Sequence, residues 1–366
     1  MSYVRSYQEI LACIDSIDPA EYAQTRNHLS GAVTRLSPYI TRGVITLPLI
    51  RDRLLVNHSA EDCAKLIQEL AWREYFQNVW WEKNDAIFSD LRFPRADWHH
   101  QDLVSAIVNA HTGITVIDEA VKELYETGYM HNHARMWLAS IACNLSYAHW
   151  HTMGKWLYFH LLDGDLAANF LSWQWVAGTS VNKRYTVNQE LINACSDIQQ
   201  ADSILNFPRE TMLELPTPEV LTSTEPFTHD TLYPDSEEVL SVSGAEVCIY
   251  TPWTLNPKWQ SEQDDTRRIL VIDPVWFDAY PVSELVLDFI VRQGQVVIPT
   301  LEVHYGRYEE IAGLDDAYSV RTIAHQTNTQ WQVEFASNDT LFPTVTGYYQ
   351  SFFKYWQAVQ DLTSSK

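Results

Sequence analysis

Cysteine is scarce and scattered in this 366-residue chain: Cys13, Cys63, Cys143, Cys195 and Cys248 make an odd number with no CxxC pair. That pattern excludes a disulfide framework, a zinc site built on paired thiolates and a four-cysteine iron–sulfur cluster, and it points to reduced thiols in the cytoplasm. No uninterrupted apolar run approaches about 18 residues and no signal-type apolar core is seen, which predicts a soluble protein without a membrane span. Basic residues are also few, 25 Lys and Arg against 47 Asp and Glu. The deficit is uneven: 16 against 22 over residues 1–200, then 9 against 25 over residues 201–366, a net of −16 for that half. A nucleic-acid partner leaves a basic footprint, so only the near-neutral N-terminal part keeps room for a local basic face. The acidic half repels DNA or serves solubility. A phosphate-binding glycine loop and internal repeats are both lacking.

Aromatic residues are abundant at 13%, including 14 Trp, enough to build a large core in a chain whose length suits two domains. From Tyr7 to about Asn193 the pattern is helical. In AEDCAKLIQELAWREYFQNVWW (60–81), Leu66, Ile67, Leu70, Ala71 and Tyr75 recur close to helical spacing. TVIDEAVKELYETG (115–128) is a cleaner amphipathic helix, with Val116, Ile117, Ala120, Val121 and Leu124 as its stripe and Gly128 as its stop. MHNHARMWLASIACNLSYAHW (130–150) reads as one further helix. Between about Ser203 and Gly244 the text is rich in Pro, Thr and acids without an apolar period, as in a linker or a strap. Beyond it, EVCIYTPW (246–253), RILVIDP (268–274), QVVIPTLEV (295–303) and WQVEFAS (331–337) read as strands. They alternate with the helical stretches SELVLDFIVRQ (283–293), DDAYSVRTIAHQ (315–326) and GYYQSFFKYWQAVQDL (347–362), which predicts a small α/β domain with a partly parallel sheet.

Four segments of the helical part carry candidate chemistry. In YAQTRNHLSGAVTRLSPY (22–39), Thr34, Arg35 and Ser37 lead into a helix around Pro38, where hydroxyls and free N–H groups suit phosphate or simply cap the helix. QELAWREYF (68–76) sets Glu69, Trp72 and Arg73 on nearly one helical face, and GYMHNHARM (128–136) does the same for Asn132, Arg135 and Met136. His131 and His133, like His149 and His151, are two apart, point to opposite sides of a helix and make poor metal pairs, so no metal is expected. Finally, LLDGDLAANFLSWQW (161–175) sets Asp163 and Asp165 around a glycine, then Asn169 and two tryptophans. No cysteine and no metal spacing appears there, so aromatic rings beside a non-metal cofactor suit the stretch better than proton or acyl chemistry. Each segment alone has a plain structural explanation as a cap, an ion pair or core.

Together, in order and spacing, TRLSPYITRG (34–43), QELAWREYF (68–76), HTGITVIDEAV (111–121), GYMHNHARM (128–136) and LLDGDLAANFLSWQW (161–175) resemble the FAD-binding helical domain of the DNA photolyase/cryptochrome family, over roughly residues 5–190. The resemblance implies a helical FAD-binding domain, placed at 1–200; with the linker at 201–243 and the smaller α/β domain of unknown role at 244–366 read from the pattern above, the chain is expected to be mainly α. It places Tyr22, Thr34, Leu36 and Ser37 on the adenine–diphosphate side of FAD. Arg73, Asn132, Arg135, Asp163, Asp165 and Asn169 are implied around the rest, with an Arg135–Asp163 ion pair beside the ring and Asn169 facing the flavin N5. Trp173, Trp150 and Trp98 match an electron-transfer triad that ends at Trp98. Trp72 and Trp175 match walls that stack on a flipped-out base. Glu69, Asn132 and Met136 match contacts to the lesion, and Arg26 matches a residue near the DNA strand.

The implied activity is light-driven splitting of cyclobutane pyrimidine dimers by one electron from excited reduced FAD, with ultraviolet-damaged DNA as partner. The chain departs from the pattern in four ways. It opens on the helical domain rather than an antenna-carrying α/β domain. Tyr129 and Leu66 replace tryptophan, His133 replaces an arginine that would contact DNA, and the text after Trp175 differs. The alternative is a cryptochrome-type photoreceptor signalling through a protein partner at the C-terminal domain. The acidic second half and His133 favour it. A flavoprotein with another redox role is the third reading. DNA binding would need a basic rim, for which Arg26, Lys183 and Arg184 are the candidates.

Overall fold

In the computed structural model, which describes residues 3–234, 240–261 and 265–364, helices dominate the first two hundred residues and a parallel sheet the later part. Part of the expected linker, 235–239, lies outside the described residues. Two compact units interleave in sequence. One gathers Asp18–Val33, Ala71–His229 and Thr346–Lys366, the other Met1–Ile17, Thr34–Leu70 and Asp230–Val345. The linear division expected from composition is therefore not how contacts group the chain. In particular, the C-terminal helix Phe352–Ser364 groups with the helical unit.

In the helical unit the amphipathic stretch forms the helix Thr115–Thr127, with Val116, Ile117, Val121 and Leu124 buried and Ala120 half-buried. Gly128 ends it at φ +70°, a backbone that L side chains rarely adopt, and an added Cβ there would meet Leu162 Cγ at 2.5 Å. The preceding HTG loop is tied down by Asp118, whose carboxylate accepts from the Thr112 and Gly113 N–H groups and the Thr112 hydroxyl. The expected single helix over 130–150 is broken. Asn132–Ser140 passes into a π turn at Ile141–Leu145, the chain reverses at Tyr147 (φ 56°), and a new helix runs Trp150–His160. Arg95 stabilises the break by donating to the Cys143 carbonyl and the Asn144 side chain. The proline- and threonine-rich segment straps onto this unit: Thr224–Glu225 pairs antiparallel with Leu103–Val104, and His229 stacks on Phe159 at 4.7 Å. Trp137, Trp150, Trp156 and Phe170 are all within the fully buried core.

The other unit holds a five-stranded sheet in which every neighbour is parallel, ordered 301–305, 267–272, 246–250, 319–323, 334–336. Two stretches differ from expectation. Residues 295–297 end the helix Glu284–Val297, so the strand starts only at Leu301. Ser319–Ile323, read as helical, is a strand paired with the central one, and its β-branched Val320, Thr322 and Ile323 suit a buried pleat. Val247, Ile249, Ile269 and Val271 pack with Tyr308 and Trp331 on one face.

Candidate functional site

The Leu161–Thr179 stretch folds as a tight turn leading into the helix Leu166–Ala177. Gly164 packs closely in the turn, where a Cβ would come to 3.1 Å from the Leu161 carbonyl oxygen and the Tyr158 ring. Asp165 caps the helix through the Ala168 N–H at 2.7 Å. Its other oxygen receives Gln77 Nε2 at 2.7 Å and Arg73 Nη1 at 3.3 Å, two residues one turn apart on the helix Ala60–Lys83. Asp163 receives Arg135 Nη2 on both oxygens at 3.0 Å, while Arg135 Nε holds the Met130 carbonyl. Both aspartate side chains are buried, at 5% and 7% exposure, and each guanidinium is open enough to reach a ligand. Buried carboxylates persist in such a place because each is paired with a charged donor. Asn169, one turn beyond Asp165, donates to the Gly154 carbonyl at 2.9 Å.

This donor set fits a flavin nucleotide. Arg135 uses Nε and Nη2 on protein, and its Nη1 has no hydrogen bond among the described residues, so it can donate to an anionic or imide-bearing ring. Gln77 was missed by sequence reasoning, although its spacing from Arg73 was the available signal.

Aromatic rings lead away from these pairs. Phe170 and Trp173 both lie against Gly154, where a Cβ would meet them at 3.2–3.4 Å. Trp150, fully buried, meets Phe170 edge-on at 6.0 Å and donates its indole N–H to Asp90 at 2.7 Å. His149 stacks on Trp150 at 5.5 Å and touches Trp98 at 4.9 Å. Trp98 lies under the Arg95 guanidinium, 3.9 Å from its ring centre. Gln174, between the two tryptophans of WQW, is wholly buried and pins the 87–91 segment: it donates to the Ile87 carbonyl at 2.7 Å and accepts from Leu91 N–H at 2.9 Å.

The expected lesion-facing residues are more dispersed. Trp72 is stacked on Phe352 of the C-terminal helix at 3.8 Å and 11°. Tyr355 anchors that helix by donating to Glu74 at 2.7 Å, and burial beside this carboxylate drives the phenol pKa far above its usual range. Trp175 packs on Tyr185 at 5.5 Å. Asn132 is exposed with its amide 3.9 Å from the Met136 sulfur. Arg26 donates to the Ala23 carbonyl, and Arg184 is paired with Asp97 at 2.6 Å, which leaves Lys183 as the exposed cation of the expected rim. Tyr22 is half-buried in the helical unit. Thr34, Leu36, Ser37 and Glu69 belong to the other unit. There Thr34 Oγ1 accepts from the Leu36 N–H, Ser37 begins the short helix Ser37–Thr41, and Glu69 pairs with Lys65 at 2.8 Å.

The His-x-His pairs have a structural task. His131 Nδ1 accepts the His133 N–H and His149 Nδ1 accepts the His151 N–H, each capping a helix. Such an acceptor must be neutral. Burial, with Lys155 and His149 adding to it, lowers the His151 pKa to about 4.

Residues 66–231 match the family described as the FAD binding domain of DNA photolyase. Over 168 residues the chain is 35% identical to a deoxyribodipyrimidine photo-lyase of Streptomyces griseus, covering 45% of this chain and 36% of that protein. It is 29% identical over 175 residues to a cryptochrome DASH of Gloeobacter violaceus, covering 44% and 34%. The chain thus spans little more than a third of these relatives. A solved Synechocystis sp. PCC6803 cryptochrome is similar at 24% identity and a TM-score of 0.46, over 51% of this chain and 42% of that one.

Proposed function

Because residues 66–231 match the FAD binding domain of DNA photolyase, we propose that this protein is a light-driven flavoprotein that splits cyclobutane pyrimidine dimers in DNA. The observation that carries the proposal is the pair of buried carboxylates around Gly164, each held by its own arginine, with a run of aromatic rings leading away from them. Bound FAD would absorb blue light and exchange single electrons. The chain supplies the rest. Arg135 and Arg73 place positive charge at the site, Asp163 and Asp165 fix their orientation, and Asn169 presents its amide one turn away. Trp173 and Trp150 are oxidisable rings within a packed interior that excludes water. Purified, photoreduced protein mixed with an oligonucleotide carrying one cyclobutane dimer should restore the thymines in blue light and not in the dark. An intact dimer in the presence of a photoreducible flavin refutes repair.

A second reading, a blue-light photoreceptor, is favoured by one observation. The Trp72 ring face expected to meet a base is already stacked on Phe352. If that contact is what blocks repair, Phe352→Ala switches dimer splitting on. If wild type repairs unaided, the photoreceptor reading falls.

A further inference from the structure

The two outer tryptophans of the relay sit in opposite electrostatic surroundings. Trp150 is fully buried and its Nε1–H is donated to a carboxylate oxygen of Asp90 at 2.7 Å. Trp98 lies with a guanidinium over its face, Arg95 Cζ being 3.9 Å from the ring centre. Among the described residues its own buried Nε1–H has no hydrogen-bond acceptor. Arg95 is fixed in place: its side chain is 6% exposed, it pairs with Asp97 at 2.9 Å, and it donates to the Ala177 and Cys143 carbonyls. Asp97 is shared between Arg95 and Arg184, which lies 2.6 Å from it, so the two guanidiniums and one carboxylate keep a net positive charge.

Losing an electron turns an indole into a cation. A carboxylate at hydrogen-bond distance stabilises that cation, and a guanidinium on the ring face opposes it. The same guanidinium stabilises the neutral Trp98 ring through its quadrupole, which makes oxidation harder still. The proton follows the same bias. Oxidised Trp150 has a base on its N–H, whereas oxidised Trp98 has none among the described residues.

From this geometry we infer that the electron relay ends at Trp150, with Asp90 as its proton acceptor, and that Trp98 is not the exit. The inference deepens the reading of the protein as a light-driven flavoprotein and rests on it. The step balances within the chain: Trp150 gives one electron to oxidised Trp173, restoring it, and passes its Nε1 proton to the Asp90 carboxylate. The result is a neutral indolyl radical beside a carboxylic acid. His149, which lies between the two indoles and accepts the His151 N–H, is a neutral spacer.

Flavin-free full-length protein tests this directly. One-electron oxidation by a photo-excited ruthenium tris-bipyridine complex with persulfate, stopped at low conversion, is read by peptide mass spectrometry. Trp150 should carry at least about threefold more oxidation product than Trp98, although Trp98 is the more exposed ring. Asp90→Asn should abolish that excess and Asp90→Glu should restore it, a rescue that mere packing would not give. Product at Trp98 equal to or above that at Trp150 in the wild type, or a ratio unmoved by Asp90→Asn, overturns the assignment. In FAD-loaded protein, Trp98→Phe should photoreduce at close to the wild-type rate and Trp150→Phe about tenfold more slowly. Equal slowing in the two variants also overturns it. A wild type that never photoreduces sinks the flavoprotein reading instead, and the flavin-free ratio still decides where the oxidised ring settles.

Discussion

Gln174 offers the sharpest test of how the WQW stretch is built. Its side chain has no exposure and makes three contacts: to the Ile87 carbonyl at 2.7 Å, from Leu91 N–H at 2.9 Å and from the Thr179 hydroxyl at 3.3 Å. Gln174→Leu keeps most of the volume and removes all three. The Leu91 N–H loses a well-formed acceptor, at a cost of about 1–3 kcal/mol for an unsatisfied buried donor. The Ile87 carbonyl and the Thr179 hydroxyl add less, because a carbonyl has a second lone pair and a hydroxyl can turn. A loss of about 3 kcal/mol is expected, read as a drop in the urea midpoint at constant slope. Gln174→Glu separates hydrogen bonding from packing. Ionised, the introduced carboxyl faces the Ile87 carbonyl with no proton to donate; protonated, it can donate again. Burial raises its folded pKa above the unfolded value near 4.3, so the variant should approach wild-type stability at acid pH and lose it as pH rises towards neutral. The consequence reaches the relay, since residues 87–91 carry Asp90, and Gln174→Leu should weaken the Trp150–Asp90 bond. A Gln174→Leu loss below about 1 kcal/mol would refute the view that this glutamine fixes the segment.

Other expectations follow from the same geometry. Arg135→Met removes the guanidinium from the buried Asp163 carboxylate and should cost about 3 kcal/mol, with Arg135→Lys recovering part of it; equal unfolding midpoints for wild type and Arg135→Met would show the pair to be idle. Acid should destabilise the helical unit through His151, whose folded pKa is lowered to about 4, mainly by burial. Its contribution is complete above the unfolded pKa near 6.5 and is lost as pH falls towards 4, amounting to about 3 kcal/mol. His151→Gln should flatten that part of the stability–pH curve, and an unchanged slope would exclude this histidine as the cause. Trp173→Phe should retain FAD by absorbance and slow its photoreduction at least about tenfold, whereas wild-type rates would remove Trp173 from the path.

The sequence alone determined the local elements whose signals are short-range. The stripe of 115–127 with its glycine stop, the Asp165 cap and the i, i+3, i+4 spacing of Glu69, Trp72 and Arg73 each depend on neighbours within a few positions. The ordered motifs likewise made the FAD-binding family legible, because five weak signals in sequence order reinforce one another. Helix against strand at 315–326 was not decidable locally, since only pairing with the central strand 246–250 made it a strand. The break after Ser140 was equally hidden, as it is held by Arg95 from more than forty residues away. Tertiary structure alone decided which charge each indole meets. Asp90 is 60 positions from Trp150, and Phe352 is brought to Trp72 from the far end of the chain. Electrostatic fields act through space over a few ångströms, so residues distant in sequence tune a site that residue types by themselves only suggest.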